Sequence, residues 1–439
     1  MIKRIATIAI LTGAGQLLSI AALKYISQHG TAEQLKSMGE ADSLVQLLIS
    51  LIAAGLQSVA MRNIALSTDW RQEYLDTQSA RISFGILLAA VSVLGIVKGN
   101  YLIFLIAPLL ALSGDYALYG LGHPVVGATV ALLRVAVPYS MVIVAARYWP
   151  GALVAVYVGA VIVVYGITNL FISYYLRAPY FILPRFRKLL LYLNSLSLGI
   201  VNLAIYFLGL GLLLIIPWFF KDNHVVAVAF VGLKVYVIYK GVLRIVHQAF
   251  LKDMIKDSVQ LQVDQLSILL GLLFAGSAII FPESFTNLLF GSRYTGDIRF
   301  FQLMALAALI YSLFLSMSTN VLLLRKDKKY AAVSAAAALV TMLAITLLAG
   351  IRPKADSLGI SLCLGETFWM AGLLRLGGSK AIVRKRIAFL LPNLAMLTVP
   401  VLCRYFLGDS QLYWFCGFGG FAIILLILHL KKFLLLASA

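Results

Sequence analysis

Long apolar runs alternate with short polar breaks along the whole chain. Most runs contain the roughly 20 residues that a helix needs to cross the hydrocarbon core of a bilayer. The pattern predicts fourteen spans, with approximate limits 5–28, 41–66, 80–97, 101–121, 125–147, 151–176, 188–217, 224–250, 264–281, 299–324, 329–350, 357–376, 387–407 and 411–431. The breaks are short, so we expect no soluble domain on either side of the membrane.

The basic residues are unevenly divided between the two sides of this arrangement. Of the 36 Lys and Arg, 22 fall on the side of the N-terminus, Arg81 and Arg386 among them, and five lie within spans. Cytoplasmic loops carry such an excess, so both termini are predicted to be cytoplasmic in a multi-pass protein of the bacterial inner membrane. The nine on the outer side are Lys36, Lys98, Arg147, Lys221, Arg293, Arg299, Arg352, Lys354 and Arg404.

A basic segment at residues 177–188 contains two prolines and divides the first twelve spans into six and six. Because six is even, the second half would enter the membrane in the same direction as the first, as in transporters built from parallel repeats. The predicted domains are 1–176 and 189–376, joined by 177–188, with two further helices in 377–439. The fold class is therefore all-α and polytopic.

Composition supports a membrane protein, because 62% of the residues are hydrophobic and only 12% are charged. The net charge of +19 does not indicate nucleic acid, because the basic residues stand at the ends of apolar runs. We attribute part of the excess to topology and part to the binding of an anion. No cofactor, metal site or catalytic group of residues is predicted, because no nucleotide-binding or metal-ligand spacing occurs.

The span at 224–250 carries the most informative charges. At 100° per residue, Tyr236, Lys240, Arg244 and His247 share one helix face about 80° wide. Cations inside a span are costly and usually face a protein interior or a water-filled cavity. For Arg244 and His247 the alternative is that they reach out to the lipid headgroups. Lys234 lies off this face but near mid-span, which favours a cavity-facing role.

Other charged residues lie within or at the ends of spans. The cations are Lys24, Arg62 and Arg134, and the two deep acids are Asp115 and Glu366. Asp115 could form a salt bridge with Arg134 or Arg62, and Glu366 could form one with Lys234 if the two halves meet there. Alternatively, each acid could be protonatable and couple transport to H⁺ or Na⁺, since burial raises a carboxyl pKa and a nearby cation lowers it.

The second half resembles the polysaccharide (Wzx-type) flippases of the multidrug/oligosaccharidyl-lipid/polysaccharide (MOP) transporter superfamily. The resemblance rests on Pro282, on the Phe290–Gly291 pair with Tyr294 after it, on the basic turn 325–329, and on the glycine-rich span LGISLCLGETFWMAG. In the first half, 55–62 resembles the family's second span, and DYALYGLGHP lies where members have an aromatic-glycine turn. Tyr119 stands there in place of the usual tryptophan.

The resemblance implies two six-helix bundles around a central cavity, with alternating access that moves a lipid-linked oligosaccharide to the outer leaflet for surface polysaccharide or O-antigen export. The polyprenyl pyrophosphate head is anionic and suits a cationic interior of low dielectric. The expected substrate-binding cations are Lys24, Arg62, Arg134, Lys234, Lys240 and Arg244. Expected partners are this lipid-linked oligosaccharide, the bilayer and other membrane proteins of polysaccharide assembly, with H⁺ or Na⁺ as candidate coupling ions.

Two other functions remain open at this stage. An ion-coupled drug or metabolite antiporter of the same superfamily would share the fold, but acidic cavity residues would suit cationic drugs better than basic ones. A membrane glycan polymerase belongs to a different class, and the short outer loops argue against it. The interpretation that we favour is a transporter and not an enzyme.

Overall fold

The computed structural model describes residues 2–67, 69–93, 99–250, 257–291, 297–323, 327–377, 380–425 and 427–429. Within these ranges every regular element is a helix. The α-helices are α1 (Ile2–His29), α2 (Ala32–Ala53), α3 (Leu56–Leu66), α4 (Trp70–Val93), α5 (Ala107–Ala111), α6 (Asp115–Gly120), α7 (Pro124–Tyr148), α8 (Leu153–Leu176), α9 (Leu190–Asn194), α10 (Leu196–Phe207), α11 (Ile216–Phe219), α12 (Asn223–Phe250), α13 (Asp257–Ile280), α14 (Pro282–Phe290), α15 (Ile298–Leu323), α16 (Asp327–Ile351), α17 (Ala355–Gly377), α18 (Lys380–Met396), α19 (Thr398–Leu407) and α20 (Gln411–Tyr413). Short 3₁₀ segments cover Gly99–Ile106, Pro150–Ala152, Phe186–Leu189 and Leu210–Leu214, and Trp414–Gly419 is a π-helix.

The described helices form a multi-pass membrane protein, which confirms the predicted all-α class. Eleven are long and apolar enough to span a bilayer, or thirteen if each of two bent pairs counts as one span. The remaining predicted span corresponds to α4, which begins at Trp70, earlier than the predicted limit of 80. Large apolar side chains point outward: Ile167 is 62% exposed and Leu347 67%. A bilayer covers such surfaces.

The chain forms two compact units. The N-terminal unit comprises Ala6–Trp218, and the C-terminal unit comprises Phe219–Ala439 together with Met1–Ile5. The basic segment 177–188 lies against α4 of the N-terminal unit, where Ser79 Oγ donates to the carbonyl of Leu183 and Lys188 pairs with Asp76 at 2.5 Å. The role of this segment in joining two bundles stays a prediction.

Two predicted spans of the N-terminal unit are broken where they pack together. The helix axis turns by 49° between α2 and α3 and by 76° between α9 and α10. Gly55 has φ 78°, and a Cβ added there would lie 2.5 Å from the backbone nitrogen of Gly199. Tyr192 donates to the carbonyl of Ile52, 2.7 Å away, near the end of α2. The break therefore lies inside protein, where its freed backbone groups find partners.

Helices α13, α15 and α18 of the C-terminal unit are joined by one buried arginine. Arg386 of α18 donates from Nη2 and Nε to Asp264 of α13, at 2.7 and 3.0 Å, and from Nη1 to the carbonyl of Leu313 of α15 at 3.1 Å. Apolar side chains of α18 and of residues 418–425 also pack on α13. The C-terminal helices are therefore part of this unit's core.

Two motif residues of the flippase resemblance, Pro282 and Gly291, lie at the two ends of α14. Pro282 occupies the first turn, where its missing N–H is not needed, and Gly291 ends the helix with φ 85°. Tyr294, Arg325 and Lys326 lie outside the described residues.

Candidate functional site: buried charges in the two helical units

In the C-terminal unit, one face of α12 carries a buried ion pair. Lys240 Nζ lies 2.7 Å from Glu366 Oε1 of α17, and the two residues are 3% and 1% exposed. Tyr236, one turn before Lys240, donates its hydroxyl to the same carboxylate oxygen. The helix face predicted from the spacing of Tyr236 and Lys240 is confirmed by these contacts.

Aromatic rings surround this pair. Lys240 Nζ lies 4.5 Å from the ring centroid of Tyr311 and 4.7 Å from that of Tyr236, distances at which a cation is attracted to a ring face. The ring of Tyr311 stacks on Trp369 with centroids 5.7 Å apart. These walls exclude water and strengthen the charge–charge attraction. Among the described residues, none donates a hydrogen bond to Glu366 Oε2.

The other charges of α12 also lie against the unit's own helices. Arg244 Nε donates to the hydroxyl of Tyr311 at 3.3 Å, and His247 Nε2 lies 2.8 Å from Ser267 Oγ. Lys234 is buried, with 7% exposure. The contacts turn Arg244 and His247 into the protein and not out to the headgroups.

The predicted pairing of Glu366 with Lys234 is wrong, because Glu366 pairs with Lys240. Six residues separate the two lysines on α12, which places them about 9 Å apart along the axis and about 120° apart around it. A single carboxylate at the position of Glu366 therefore pairs with only one of the two lysines. Which lysine pairs with Glu366 depends on how far α17 is shifted along α12. The hydropathy of the sequence does not show that shift.

In the N-terminal unit, Arg134 of α7 has acceptors for all three of its nitrogens. Nε donates to Thr168 Oγ1 at 3.1 Å, and Nη2 donates to Asn169 Oδ1 at 2.8 Å. Nη1 donates to Ser113 Oγ at 3.1 Å and lies 3.4 Å from Asp115 Oδ2. Asp115 therefore pairs with Arg134, one of the two partners that the sequence suggested.

The surroundings hold this arginine firmly. Its guanidinium carbon lies 4.3 Å from the ring centroid of Tyr165, and Ser113 Oγ donates to Asp115 Oδ1 at 2.7 Å. The Arg134 side chain is 7% exposed and that of Asp115 is 23% exposed. Lys24 is half-buried in α1, and Arg62 is exposed on α3. The predicted gathering of the six cations around one cavity stays a prediction.

A second arginine of the N-terminal unit is buried with spare donors. Arg81 of α4 is 3% exposed, and its guanidinium carbon lies 5.2 Å from the ring centroid of Tyr116. No acceptor in the described part of the chain is within hydrogen-bonding distance of its Nε or Nη1. On the preceding turn, Gln78 Nε2 donates to the carbonyl of Leu112 at 2.8 Å, while its Oε1 receives no hydrogen bond from a described group.

Comparison with known proteins gives a clear structural result. No protein-family model and no curated protein matches the sequence. An inward closed conformation of the lipid II flippase MurJ superposes with a TM-score of 0.69, at 13% identity over 97% of this chain and 98% of that one. A MATE transporter in complex with MaL6 superposes with a TM-score of 0.57, at 14% identity over 90% of this chain and 97% of that one. A MATE transporter in the straight conformation superposes with a TM-score of 0.51, at 15% identity over 90% of this chain and 96% of that one. The chain therefore shares its fold with these structures.

Within this fold, the analysis of the sequence missed four buried charges. Arg81 and Arg386 were assigned to the cytoplasmic boundary, and neither Asp42 nor Asp264 was counted as a deep acid. Asp42 is fully buried in α2 and accepts a hydrogen bond from the Tyr157 hydroxyl at 2.7 Å. All four lie at or near an end of a predicted apolar run. Hydropathy locates such ends but does not show which side chains turn inward.

The buried cations of both units are suited to binding an anion. In the described ranges, no three His, Cys, Asp or Glu side chains lie close enough to hold a metal ion. The interior instead offers guanidinium and ammonium groups framed by tyrosine and tryptophan rings. Such groups bind anions strongly when water is excluded.

Proposed function

We propose that the chain is a flippase that moves a polyprenyl pyrophosphate-linked oligosaccharide across the cytoplasmic membrane by alternating access. The fold is that of transporters, and two of the similar structures are a lipid II flippase and a MATE protein. We infer surface polysaccharide or O-antigen export as the process, with both termini in the cytoplasm. Other polysaccharide-assembly proteins of the membrane are the proposed partners.

One observation carries this proposal: the spanning part of α12 holds three cations. Lys234, Lys240 and Arg244 lie within Asn223–Arg244, and Lys234 and Lys240 are buried. A cation inside a span costs several kcal/mol unless it has a partner or a function there. Lys240 is paired with Glu366 of α17, and the span itself, residues 223–244, carries three Lys or Arg and no acidic residue. A diphosphate head is a suitable ligand for that charge.

The substrate-binding residues that we propose are Lys24, Arg62, Arg134, Lys234, Lys240 and Arg244. Asp115 and Glu366 remain candidates for ion coupling. Each pairs with a cation in this structure, so protonation would release Arg134 or Lys240 respectively. An incoming phosphate could then replace the carboxylate as that cation's partner.

A reconstituted flipping assay tests the function. Proteoliposomes would carry a fluorescent polyprenyl pyrophosphate oligosaccharide, scored both for leaflet position and for chain length. We expect movement between leaflets without chain growth, and its loss in Lys234→Ala and in Arg134→Ala at unchanged protein levels. Lys221→Ala, an exposed cation outside the proposed site, is the matched control. Unchanged flipping in both site variants would refute this site, and chain growth would favour a polymerase.

Asp42 favours a second candidate, an ion-coupled antiporter that exports a cationic drug or metabolite. Its carboxylate is fully buried in the N-terminal unit and held by Tyr157. Buried carboxylates can bind cations or exchange protons. Efflux of a cationic dye that depends on a proton gradient and is lost in Asp42→Asn, with no flipping of the labelled lipid, would support this candidate over the flippase.

A further inference from the structure

A cavity in the C-terminal unit lies at one end of α15, α16 and α17. Its volume is about 760 Å³, and three cations line it: Arg299, Arg352 and Lys354. One carboxylate, Asp356, also lines it, so the four charges give a net charge of +2. The volume falls within the roughly 300–1,000 Å³ that is usual for a small-molecule site.

The backbone holds two of these cations in a fixed turn. Only residues 352–354 separate α16 from α17. Within this turn the N–H of Lys354 donates to the carbonyl of Arg352 at 2.8 Å, and Ser357 Oγ donates to the same carbonyl at 2.6 Å. Arg352 and Lys354 are therefore presented together, opposite Arg299 at the start of α15.

Apart from Gln302 and Ser357, the rest of the cavity wall is apolar. Leu306, Leu348, Ile351 and Ile360 line it. Ile351 is 76% exposed, and Leu306 and Ile360 are 38% and 39% exposed. A cationic rim beside an exposed apolar wall at the end of three spanning helices matches a molecule with a phosphate head and hydrocarbon chains.

Ion pairing inside the protein does not account for the three cations. Among the described residues, no carboxylate lies within 4.0 Å of the charged nitrogens of Arg299, Arg352 or Lys354. Topology does not account for them either. In the predicted orientation this end of the helices is the outer one, where cations are few, yet three of the nine outer cations meet in this cavity.

We propose that this cavity binds the headgroup of an anionic glycerophospholipid of the bilayer. The guanidinium groups of Arg299 and Arg352 and the ammonium group of Lys354 contact the phosphate, and the acyl chains run along Leu306, Leu348 and Ile360. The bilayer supplies such phosphates at the depth where spanning helices end. The inference concerns the C-terminal unit alone and does not depend on the proposed transport activity.

Native mass spectrometry of the full chain in detergent tests this site with three probes: phosphatidylglycerol, phosphatidylcholine and a polyprenyl phosphate. We expect phosphatidylglycerol to bind about tenfold or more tightly than phosphatidylcholine, because charge-assisted hydrogen bonds are the strong ones. Equal binding of these two lipids would overturn the proposal. Binding of the polyprenyl phosphate that is tighter than that of phosphatidylglycerol, and that is lost when Arg299, Arg352 and Lys354 are replaced, would overturn the assignment to a bilayer phospholipid.

Substitutions locate the binding. The triple variant R299Q/R352Q/K354Q should lose about tenfold or more in affinity for phosphatidylglycerol. The control R147Q/K221Q/R404Q removes the same charge from the same predicted side, outside the cavity, and should bind as the unmodified protein does. Equal losses in both would refute the site. The single variant Arg352→Gln should give a smaller loss and serves if the triple variant does not fold.

Lipid binding and flipping are measured separately, so their failures can be distinguished. Loss of lipid selectivity with flipping intact would refute only the phospholipid site. Selective lipid binding in a protein that flips nothing would refute only the proposed function.

Discussion

Arg134 in the N-terminal unit has an acceptor for every nitrogen, while Arg81 in the same unit has none for Nε or Nη1 among the described residues. In the C-terminal unit, Lys240 and Glu366 pair inside a set of aromatic rings, and it is Oε2 of the acid that lacks a described donor. Arg81 therefore keeps spare hydrogen-bond donors, and Glu366 keeps a spare acceptor. An anion is suited to the first and a proton to the second.

The two units also differ in the continuity of their spans. The N-terminal unit breaks two of them where Gly55 meets Gly199, whereas α12, α16 and α17 of the C-terminal unit each run unbroken over more than 20 residues. Where Gly55 and Gly199 meet, the two backbones are so close that a Cβ added to either residue would clash with the other segment. A long helix pair depends more on its side chains, which in the C-terminal unit include the buried ion pair.

Breaking the Lys240–Glu366 pair should be among the most destabilising single changes. Lys240→Met leaves a buried carboxylate with only the Tyr236 hydroxyl, and such a loss costs about 3–5 kcal/mol of unfolding free energy. Lys240→Met/Glu366→Gln removes both charges and should recover most of it. Denaturant titration of the micelle-solubilised protein measures both values. If the double variant is no more stable than Lys240→Met, the pair is not the source of the stability.

Much of the C-terminal site could be predicted from sequence because helix geometry is local. The face that holds Tyr236, Lys240 and Arg244 follows from 100° per residue, and their contacts with Glu366 and Tyr311 confirm it. The partner of Glu366 could not be predicted. Position 366 lies on another helix, 126 residues away, and its depth depends on how α17 packs.

The buried charges and the helix breaks of the N-terminal unit were harder to predict, because they too depend on how segments distant in sequence pack together. Apolar runs located its spans, but not the breaks at Gly55 and between α9 and α10, which depend on packing between distant segments. Arg81 stands close to the predicted end of a span and was assigned to the boundary. The structure starts that helix at Trp70, which places Arg81 three turns inside it.

Removing Arg134 should destabilise the protein less than breaking the Lys240–Glu366 pair does. Arg134→Met leaves Asp115 with the Ser113 hydroxyl and partial access to its surroundings, since its side chain is 23% exposed. We expect a loss of about 2 kcal/mol from the unpaired polar groups. The same titration measures it. A loss equal to or above that of Lys240→Met would contradict the ranking of the two cores.

The contact between the broken spans should give the next smaller effect. In Gly199→Ala the new Cβ would lie 2.7 Å from the carbonyl oxygen of Ala54, which is backbone and cannot rotate away. We expect a loss on the order of 1–2 kcal/mol. Gly166→Ala on α8 is the control, because nothing lies within 4 Å of its added Cβ, and it should be neutral or stabilising. Equal effects of the two substitutions would mean that the close approach carries no energy.

Arg81→Met should have the smallest effect on stability, although Arg81 is only 3% exposed. Replacing a guanidinium whose Nε and Nη1 lack acceptors in the described part removes a desolvation cost along with its contact to Tyr116. The two changes should cancel to within about 1 kcal/mol. Arg386→Met is the matched control, because Arg386 is 5% exposed and its nitrogens donate to Asp264 and Leu313; it should lose about 3–5 kcal/mol. A loss at Arg81 as large as that at Arg386 would show that Arg81 holds the fold together. A neutral result would mean that the N-terminal unit keeps a costly buried cation for a purpose other than stability.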